Sequence, residues 1–146
     1  MYHIIKCLPV LILEENKLGP NFPILGKGLV RVSLSKNKFS GCIPSYLKTL
    51  NQLQDLDVSF NALSGLTSPI LLLPAIKNLN LSSSSLGGTL PPNISCGNNL
   101  GFTDISANYL TGELPSCLLP KSSQRTVKFA GNCLVTNVQP QQYSYY

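Results

Sequence analysis

One recurring pattern constrains the fold of this chain more than any other sequence feature. Six copies share a pattern that is apolar at positions one, four, six and eleven and has asparagine at position nine; only Gln124, Thr103 and Ser84 depart from it. The copies start 21, 24, 23, 24 and 24 residues apart, at Leu8, Leu29, Leu53, Ile76, Leu100 and Gln124. A period of this length indicates a solenoid, in which each repeat packs only on its neighbours.

The repeat also predicts local structure. Positions four and six are apolar and their neighbours are more polar, which is typical of a short strand with one buried face. Stacked strands form a parallel sheet, because no single repeat can bury its apolar face alone. Glycine and proline follow the strand in three repeats, in the segments 41–44, 88–91 and 112–115. They favour an extended, irregular convex side over a long helix.

Position nine predicts a ladder of side-chain amides. Buried polar groups need partners, so each amide is expected to bond backbone groups of its own repeat and of the adjacent one. The predicted ladder residues are Asn16, Asn37, Asn61, Asn108 and Asn132. Ser84 interrupts the series, since a hydroxyl is shorter and has fewer bonding groups than an amide. We expect the turn at residues 82–85 to be the loosest internal one.

The full pattern, L-x-x-L-x-L-x-x-N-x-L-S-G-x-I-P, resembles the plant-specific leucine-rich repeat. The segments at 110–118 and 130–134 (LTGELPSCL and AGNCL) are similar to the ectodomains of probable inactive leucine-rich repeat receptor-like kinases of plants. The resemblance implies an α/β-class leucine-rich repeat solenoid with a curved parallel sheet of short strands on its concave side. It also implies a peptide or protein ligand, a co-receptor and a role in cell-surface signalling. A secreted stand-alone repeat protein, such as an apoplastic enzyme inhibitor, is the alternative.

The pattern divides the chain into three parts. Residues 1–7 form an N-terminal segment, residues 8–134 hold about six repeats with a degenerate last one, and residues 135–146 are expected to be a disordered tail. The first residues make no clear signal peptide, because Lys6 and Pro9 interrupt the apolar run. No apolar run reaches the roughly 18–20 residues that cross a bilayer. In relatives with an extracellular ectodomain, membrane attachment would come through regions outside this chain.

Composition and motifs argue against several classes of function. One histidine, six carboxylates and no tryptophan leave little for an active site. The sequence has no glycine-rich phosphate loop, catalytic aspartate loop or Mg²⁺-binding motif, so we expect neither an enzyme nor a cofactor. The eleven Lys and Arg are scattered and the net charge is only +5, which disfavours nucleic acid as a partner. Without a C-x-x-C spacing, a metal site is not expected.

The residues at positions three and five, together with Phe60, predict a ligand-binding face on the concave sheet. The candidate residues are Arg31, Ser33, Asp55, Asp57, Phe60, Asn78, Asn80, Phe102, Asp104 and Lys128. Strands lie about 4.8 Å apart, so Asp57 and Asp104, two repeats apart, are too distant to share a proton as a catalytic dyad. Asp104 and Lys128 lie on adjacent repeats and could form an ion pair. Mixed charge with exposed aromatics indicates a shallow surface for a protein or peptide, while simple solvation is the alternative for any single residue.

Two further features depend on an extracellular setting. The chain has five cysteines, an odd number, and the candidate disulfide joins Cys96 to Cys117. Two glycosylation sequons begin at Asn80 and Asn93. Asn93 is expected on the convex side, whereas Asn80 is expected on the concave sheet, where a glycan would obstruct binding.

Overall fold

A computed structural model describes residues 8–65, 71, 73–91, 95–119 and 125–135 of the chain. Five short segments form a second layer behind a six-stranded parallel sheet, and both sheets run along one solenoid. The strands of the six-stranded sheet are β1 (Val10–Ile12), β2 (Arg31–Ser33), β4 (Asp55–Asp57), β6 (Asn78–Asn80), β8 (Phe102–Asp104) and β10 (Thr126–Lys128). The leucine-rich repeat fold predicted from the sequence pattern is confirmed.

The register of the six-stranded sheet follows the repeat position by position. Arg31 pairs with Asp55, and Asp55 pairs with Asn78, so position three of each repeat meets position three of the next. The middle residue of each strand faces the core, as Val32 and Leu56 do at 1% and 2% exposure. The flanking residues face the concave side. A one-residue slip would exchange these two sets, so burial of position four fixes the register.

A second parallel sheet is formed by the residues that follow position nine in repeats two to six. Its strands are β3 (Ser40–Cys42), β5 (Ala62–Gly65), β7 (Ser85–Thr89), β9 (Tyr109–Glu113) and β11 (Cys133–Val135). Sequence reasoning anticipated an extended chain here but not a sheet. Gly65 and Gly112 show why glycine recurs: both have φ near +80°, and a Cβ would lie 2.9 Å from the Cys42 Sγ and 2.6 Å from the Thr89 Cγ2. Glycine therefore lets each strand bend while it remains close to the strand before it.

The convex return consists of turns and short 3-10 helices. The helices η1 (Ser45–Thr49) and η2 (Ser116–Leu118) each begin directly after a proline. An apolar residue at position nineteen of the repeat closes the core, since Leu47, Leu71 and Leu118 are at most 1% exposed. Tyr46 joins η1 to the preceding repeat, because its hydroxyl donates to the Pro23 carbonyl and accepts from the Leu25 amide.

Position nine forms the ladder of amides that the sequence suggests. The Asn108 Oδ1 accepts from the Leu86 amide at 3.1 Å, and its Nδ2 lies 2.9 Å from the Leu81 oxygen and 3.2 Å from the Ile105 oxygen. The same three kinds of bond occur at Asn37, Asn61 and Asn132. Asn16 bonds carbonyls of its own repeat. Each internal amide thus ties its own turn to the preceding one.

Ser84 makes a different contact at the same position. Its hydroxyl donates to the Asn61 carbonyl at 3.2 Å. In the part of the chain that the structure describes, this is the one side-chain hydrogen bond of Ser84. The turn therefore lacks the bond to the Val58 carbonyl that an asparagine amide would make, as Asn108 does with Leu81. Strands β5 and β7 nevertheless keep the regular register on either side of the turn. The expectation that this turn is the loosest remains a prediction.

The two ends of the chain and short segments of the third, fourth and fifth repeats lie outside this description. Residues 1–7, residues 136–146 of the expected tail and Asn93 of the second sequon are not among the described residues. Within the described ranges, no helix is both long enough and apolar enough to cross a membrane.

Candidate ligand-binding face

An open groove of about 300 Å³ lies on the concave side of the six-stranded sheet. It is lined by seven of the ten predicted residues: Arg31, Ser33, Asp55, Asp57, Asn78, Asn80 and Phe102. Ile12 and Glu14, which were not on the predicted list, complete one end. Side chains from five successive strands therefore face a common opening.

Position three carries a chain of side-chain contacts across three strands. The Arg31 Nε donates to the Asp55 Oδ2 at 3.3 Å, and the Asn78 Nδ2 donates to the Asp55 Oδ1 at 2.5 Å. The Arg31 side chain is 63% exposed, so solvent screens this ion pair. Exposed pairs of this kind contribute about 0–1 kcal/mol to stability. The contacts mainly fix the orientation of Asp55, whose charge Arg31 neutralises.

Position five repeats a turn that sequence reasoning missed. The Asp57 Oδ1 accepts from both the amide and the hydroxyl of Ser59, at 3.0 and 2.6 Å. The Asn80 Oδ1 accepts the same two bonds from Ser82, at 3.0 and 2.7 Å. Asp104 and Ser106 repeat the arrangement. The signal was present in the sequence as three copies of Asp/Asn-x-Ser at positions five to seven.

The expected ion pair between Asp104 and Lys128 is not formed among the described residues. The Lys128 Nζ lies 5.7 Å from the centre of the Phe102 ring, a cation–π arrangement, while Asp104 is satisfied by Ser106 and is 9% exposed. A long, flexible lysine side chain has several neighbours within reach. Here its ammonium group lies over the aromatic ring, which attracts a cation. Neither Asp104 nor Lys128 is part of the groove lining.

Phe60 lies beside the sheet rather than on it. It occupies position eight, the turn residue before Asn61, with φ of +54° and 55% of its surface exposed. The same left-handed backbone occurs at Glu15, Lys36, Ser83 and Ala107, and Gly131 occupies it in the last repeat. The conformation is therefore a property of the repeat. For a bulky side chain this region is sterically unfavourable.

The four described cysteines lie away from the groove. Cys96 and Cys117, the candidate pair, are disulfide-bonded with a Cα–Cα distance of 5.7 Å. Cys42 and Cys133 are free and exposed, and Cys7 lies outside the described residues. Arg125 supports the same loop, because its guanidinium donates to the carbonyls of Leu100, Gly97 and Cys117. Sequence reasoning did not identify this role of Arg125, which no motif marks.

The groove is lined by hydrogen-bonding side chains, carboxylates, one guanidinium and apolar residues. Across the described ranges, no three His, Cys, Asp or Glu side chains come together in a way that could hold a metal ion. Asp57 and Asp104 lie on strands separated by β6, at the register position of Asn80. The groove presents hydrogen-bonding groups and charge from five successive strands.

Comparison with known proteins agrees with this geometry. A sequence model described as Leucine Rich Repeat matches residues 28–50 and 75–97. Two stretches of the chain therefore match leucine-rich repeats, and its fold is a leucine-rich repeat solenoid. No curated protein sequence matches it.

Solved structures similar to this leucine-rich repeat chain are ectodomains of plant receptors. The BIR2 ectodomain from Arabidopsis thaliana is 30% identical over 75% of the chain, with a TM-score of 0.66. The plant peptide hormone receptor RGFR1, in complex with RGF2, is 31% identical over 74% of the chain, with a TM-score of 0.64. The ectodomain of the receptor kinase GASSHO1/SCHENGEN3 from Arabidopsis thaliana, in complex with CASPARIAN STRIP INTEGRITY FACTOR 2, is 26% identical over 91%, with a TM-score of 0.77.

The repeats of this chain are therefore of the kind found in plant receptor-kinase ectodomains. The match covers 58% of the BIR2 structure, 18% of RGFR1 and 16% of GASSHO1/SCHENGEN3. The chain thus spans about half or less of these ectodomains, and the similarity concerns the solenoid itself.

Proposed function

We propose that this chain is a non-catalytic, extracellular binding module that holds a peptide or protein ligand along its concave sheet and contributes to plant cell-surface signalling. The observation that carries the proposal is the groove of about 300 Å³, which side chains of five successive strands line. Its polar groups are held in place by neighbouring side chains and turns, so little ordering is needed when a ligand binds. Two of the similar receptors were solved with ligands bound, RGF2 and CASPARIAN STRIP INTEGRITY FACTOR 2.

The same groove bears on two other expectations. Asn80 lines its floor, and the hydroxyl of Ser82, the third residue of its sequon, is bonded to the Asn80 Oδ1. A glycan on Asn80 would fill the groove, so the proposal requires that Asn80 is unmodified. A co-receptor would contact a surface outside the groove, because the ligand covers the concave face.

The test uses purified full chain and a random peptide library displayed on phage. A peptide enriched on the chain is then synthesised, and its affinity is compared for two variants. Ser33→Tyr puts a large neutral side chain into the groove, whereas Ser40→Tyr adds the same side chain to β3 on the second sheet.

The proposal predicts that Ser33→Tyr weakens binding by at least about tenfold, because the ligand loses contact area in the groove, and that Ser40→Tyr leaves affinity unchanged. Circular dichroism establishes that both variants fold. If no enriched peptide distinguishes the two variants, the concave sheet is not the binding surface and the proposal fails.

A further inference from the structure

The charges of this chain are distributed unequally between the groove and the rest of the molecule. The whole chain carries eleven Lys and Arg against six Asp and Glu, a net charge of +5. The groove is lined by three carboxylates, Glu14, Asp55 and Asp57, against one guanidinium, Arg31. Its lining therefore has a net charge of −2. A groove of opposite sign to the rest of its protein attracts ligands that the remaining surface repels.

Two groove carboxylates, Glu14 and Asp57, pair with no basic group in the described part of the chain, and Asp57 lies on β4, the middle one of the five strands that line the groove. Asp55 is paired with Arg31 and accepts from Asn78. Asp57 uses its Oδ1 for the two bonds from Ser59. In the described part of the chain no group donates to its Oδ2, and Asp57 lines the groove.

The negative charge of Asp57 is not needed for its structural bonds. Asn80 occupies the same position in the next repeat and accepts the same two bonds from Ser82, at distances within 0.1 Å of those at Asp57. A neutral amide oxygen thus forms this turn as well as a carboxylate oxygen does. The repeat leaves the choice between Asp and Asn open at this position, so the charge is available for recognition.

We propose that the groove binds an extended peptide that presents a lysine or arginine side chain to Asp57. The inference rests on the proposed binding function and names the class of ligand. A cationic side chain would replace solvent at the Asp57 Oδ2 by a charge-assisted hydrogen bond, the stronger class of such bonds. Asn80 continues the row beside Asp57, and its amide can bond a carbonyl of the same peptide.

The pair Asp57 and Asn80 supplies variants that alter charge and little else. Asp57→Asn keeps the acceptor for Ser59, as Asn80 shows, and removes the negative charge. Because the change also creates an N-x-Ser sequon with Ser59, the proteins are produced in a host that does not N-glycosylate. Asn80→Asp keeps the acceptor for Ser82, as Asp57 shows, and adds one. Both changes are nearly isosteric, so the groove keeps its shape.

The experiment begins with the peptides that the phage library enriches on the full chain. We expect those whose binding Ser33→Tyr abolishes to be enriched in Lys or Arg. Non-specific attraction would favour acidic peptides instead, because the chain has a net charge of +5. For one such synthetic peptide, we expect Asp57→Asn to weaken binding about tenfold and Asn80→Asp to strengthen it severalfold. Replacing the basic residue of the peptide by methionine should abolish the response to both variants.

The possible outcomes separate the two proposals. Peptides that Ser33→Tyr blocks but that lack Lys and Arg, or that bind Asp57→Asn unchanged, would overturn the inference and leave the concave binding function standing. Enriched peptides that Ser33→Tyr does not affect would overturn both. Loss of affinity in Asp57→Asn together with loss of the native circular dichroism spectrum would show that the carboxylate is structural, which also contradicts the inference.

Discussion

Two sets of polar side chains lie only a few residues apart in each repeat, and they behave differently. The amides at position nine bond backbone groups of two successive turns, as Asn108 does with Leu86 and Leu81. The side chains at position three bond only other side chains, as Arg31 does with Asp55. Backbone groups are the same in every repeat, and position nine is asparagine in five of the six repeats. Partners at position three vary, so these residues are free to differ.

This difference separates scaffold from binding surface. A side chain that satisfies buried backbone groups cannot be changed without a cost in stability. A side chain on the concave face can be changed with little cost in stability, so the proposed function leaves its identity to be set by the ligand. Position five combines both roles at Asp57 and Asn80, since the Oδ1 of each is structural and both side chains line the groove. Substitutions at these positions test the distinction between structural and groove-facing side chains.

Asn108→Ala should have the largest effect on stability. Asn108 is 5% exposed, and alanine would leave the Leu86 amide and the Leu81 carbonyl without this partner. We expect a loss of about 2–4 kcal/mol, since each buried group left unsatisfied costs about 1–3 kcal/mol. Urea denaturation followed by circular dichroism measures it. Ser84→Ala is the matched control, with a smaller loss, and equal losses for the two variants would refute the structural importance of the ladder.

Tyr46 provides a test on the convex side, with a pH dependence. Burial raises the pKa of its hydroxyl above the usual value of about 10, and the bond from the Leu25 amide offsets part of this rise. The folded state therefore holds the proton more tightly than the unfolded state, so the free energy of unfolding falls as the pH rises above about 10. Tyr46→Phe should cost about 1–2 kcal/mol at neutral pH through its lost hydrogen bonds.

The same variant should reduce the alkaline fall in stability, which thermal unfolding at several pH values measures. Tyr109→Phe, at a residue that is 66% exposed, is the control and should leave that fall unchanged. An alkaline profile that is identical for Tyr46→Phe and the unmodified chain would contradict the assignment.

Ser84→Asn should stabilise the solenoid. The new amide can reach the Val58 carbonyl and the Leu63 amide, which correspond to the groups that Asn108 bonds one repeat later. We expect a gain of about 1 kcal/mol, the usual net contribution of an added hydrogen bond. Hydrogen exchange at residues 82–85 provides the local readout, and slower exchange is expected. A gain in global stability without local protection would show that the effect arises elsewhere.

Asp57→Asn should have the smallest effect on stability, within about 0.5 kcal/mol. The amide retains both bonds to Ser59, as Asn80 shows with Ser82. Urea denaturation of the unliganded chain measures this change. A loss comparable to that of Asn108→Ala would mean that position five belongs to the scaffold, which would remove the distinction between the two sets.

The sequence predicts the parts of this structure that depend on repetition. Apolar residues at positions four and six determine the strands and their register, and asparagine at position nine identifies the turns. The second sheet was missed because it depends on glycine backbone angles, which composition does not reveal. The three Asp/Asn-x-Ser turns were missed although Ser59, Ser82 and Ser106 repeat in the sequence, because a serine outside the strand is equally compatible with simple solvation.

The binding face was harder to predict than the fold. Seven of its ten candidate residues line the groove, since alternation along a strand determines which side chains face outwards. Lys128 contacts Phe102 instead of Asp104 because a long flexible side chain has several neighbours within reach. Phe60 was placed on the face, but it belongs to the turn at position eight. Side-chain choices of this kind depend on packing that one sequence does not encode locally.

Mapping where a selected peptide contacts the chain tests most directly whether the concave sheet binds the ligand. A photoreactive phenylalanine analogue is placed in the enriched peptide, and the crosslinked residues are identified by mass spectrometry. If the ligand binds the concave sheet, crosslinks are expected within β2, β4 and β6, at the residues that line the groove. Crosslinks confined to the second sheet, at β5, β7 or β9, would contradict it.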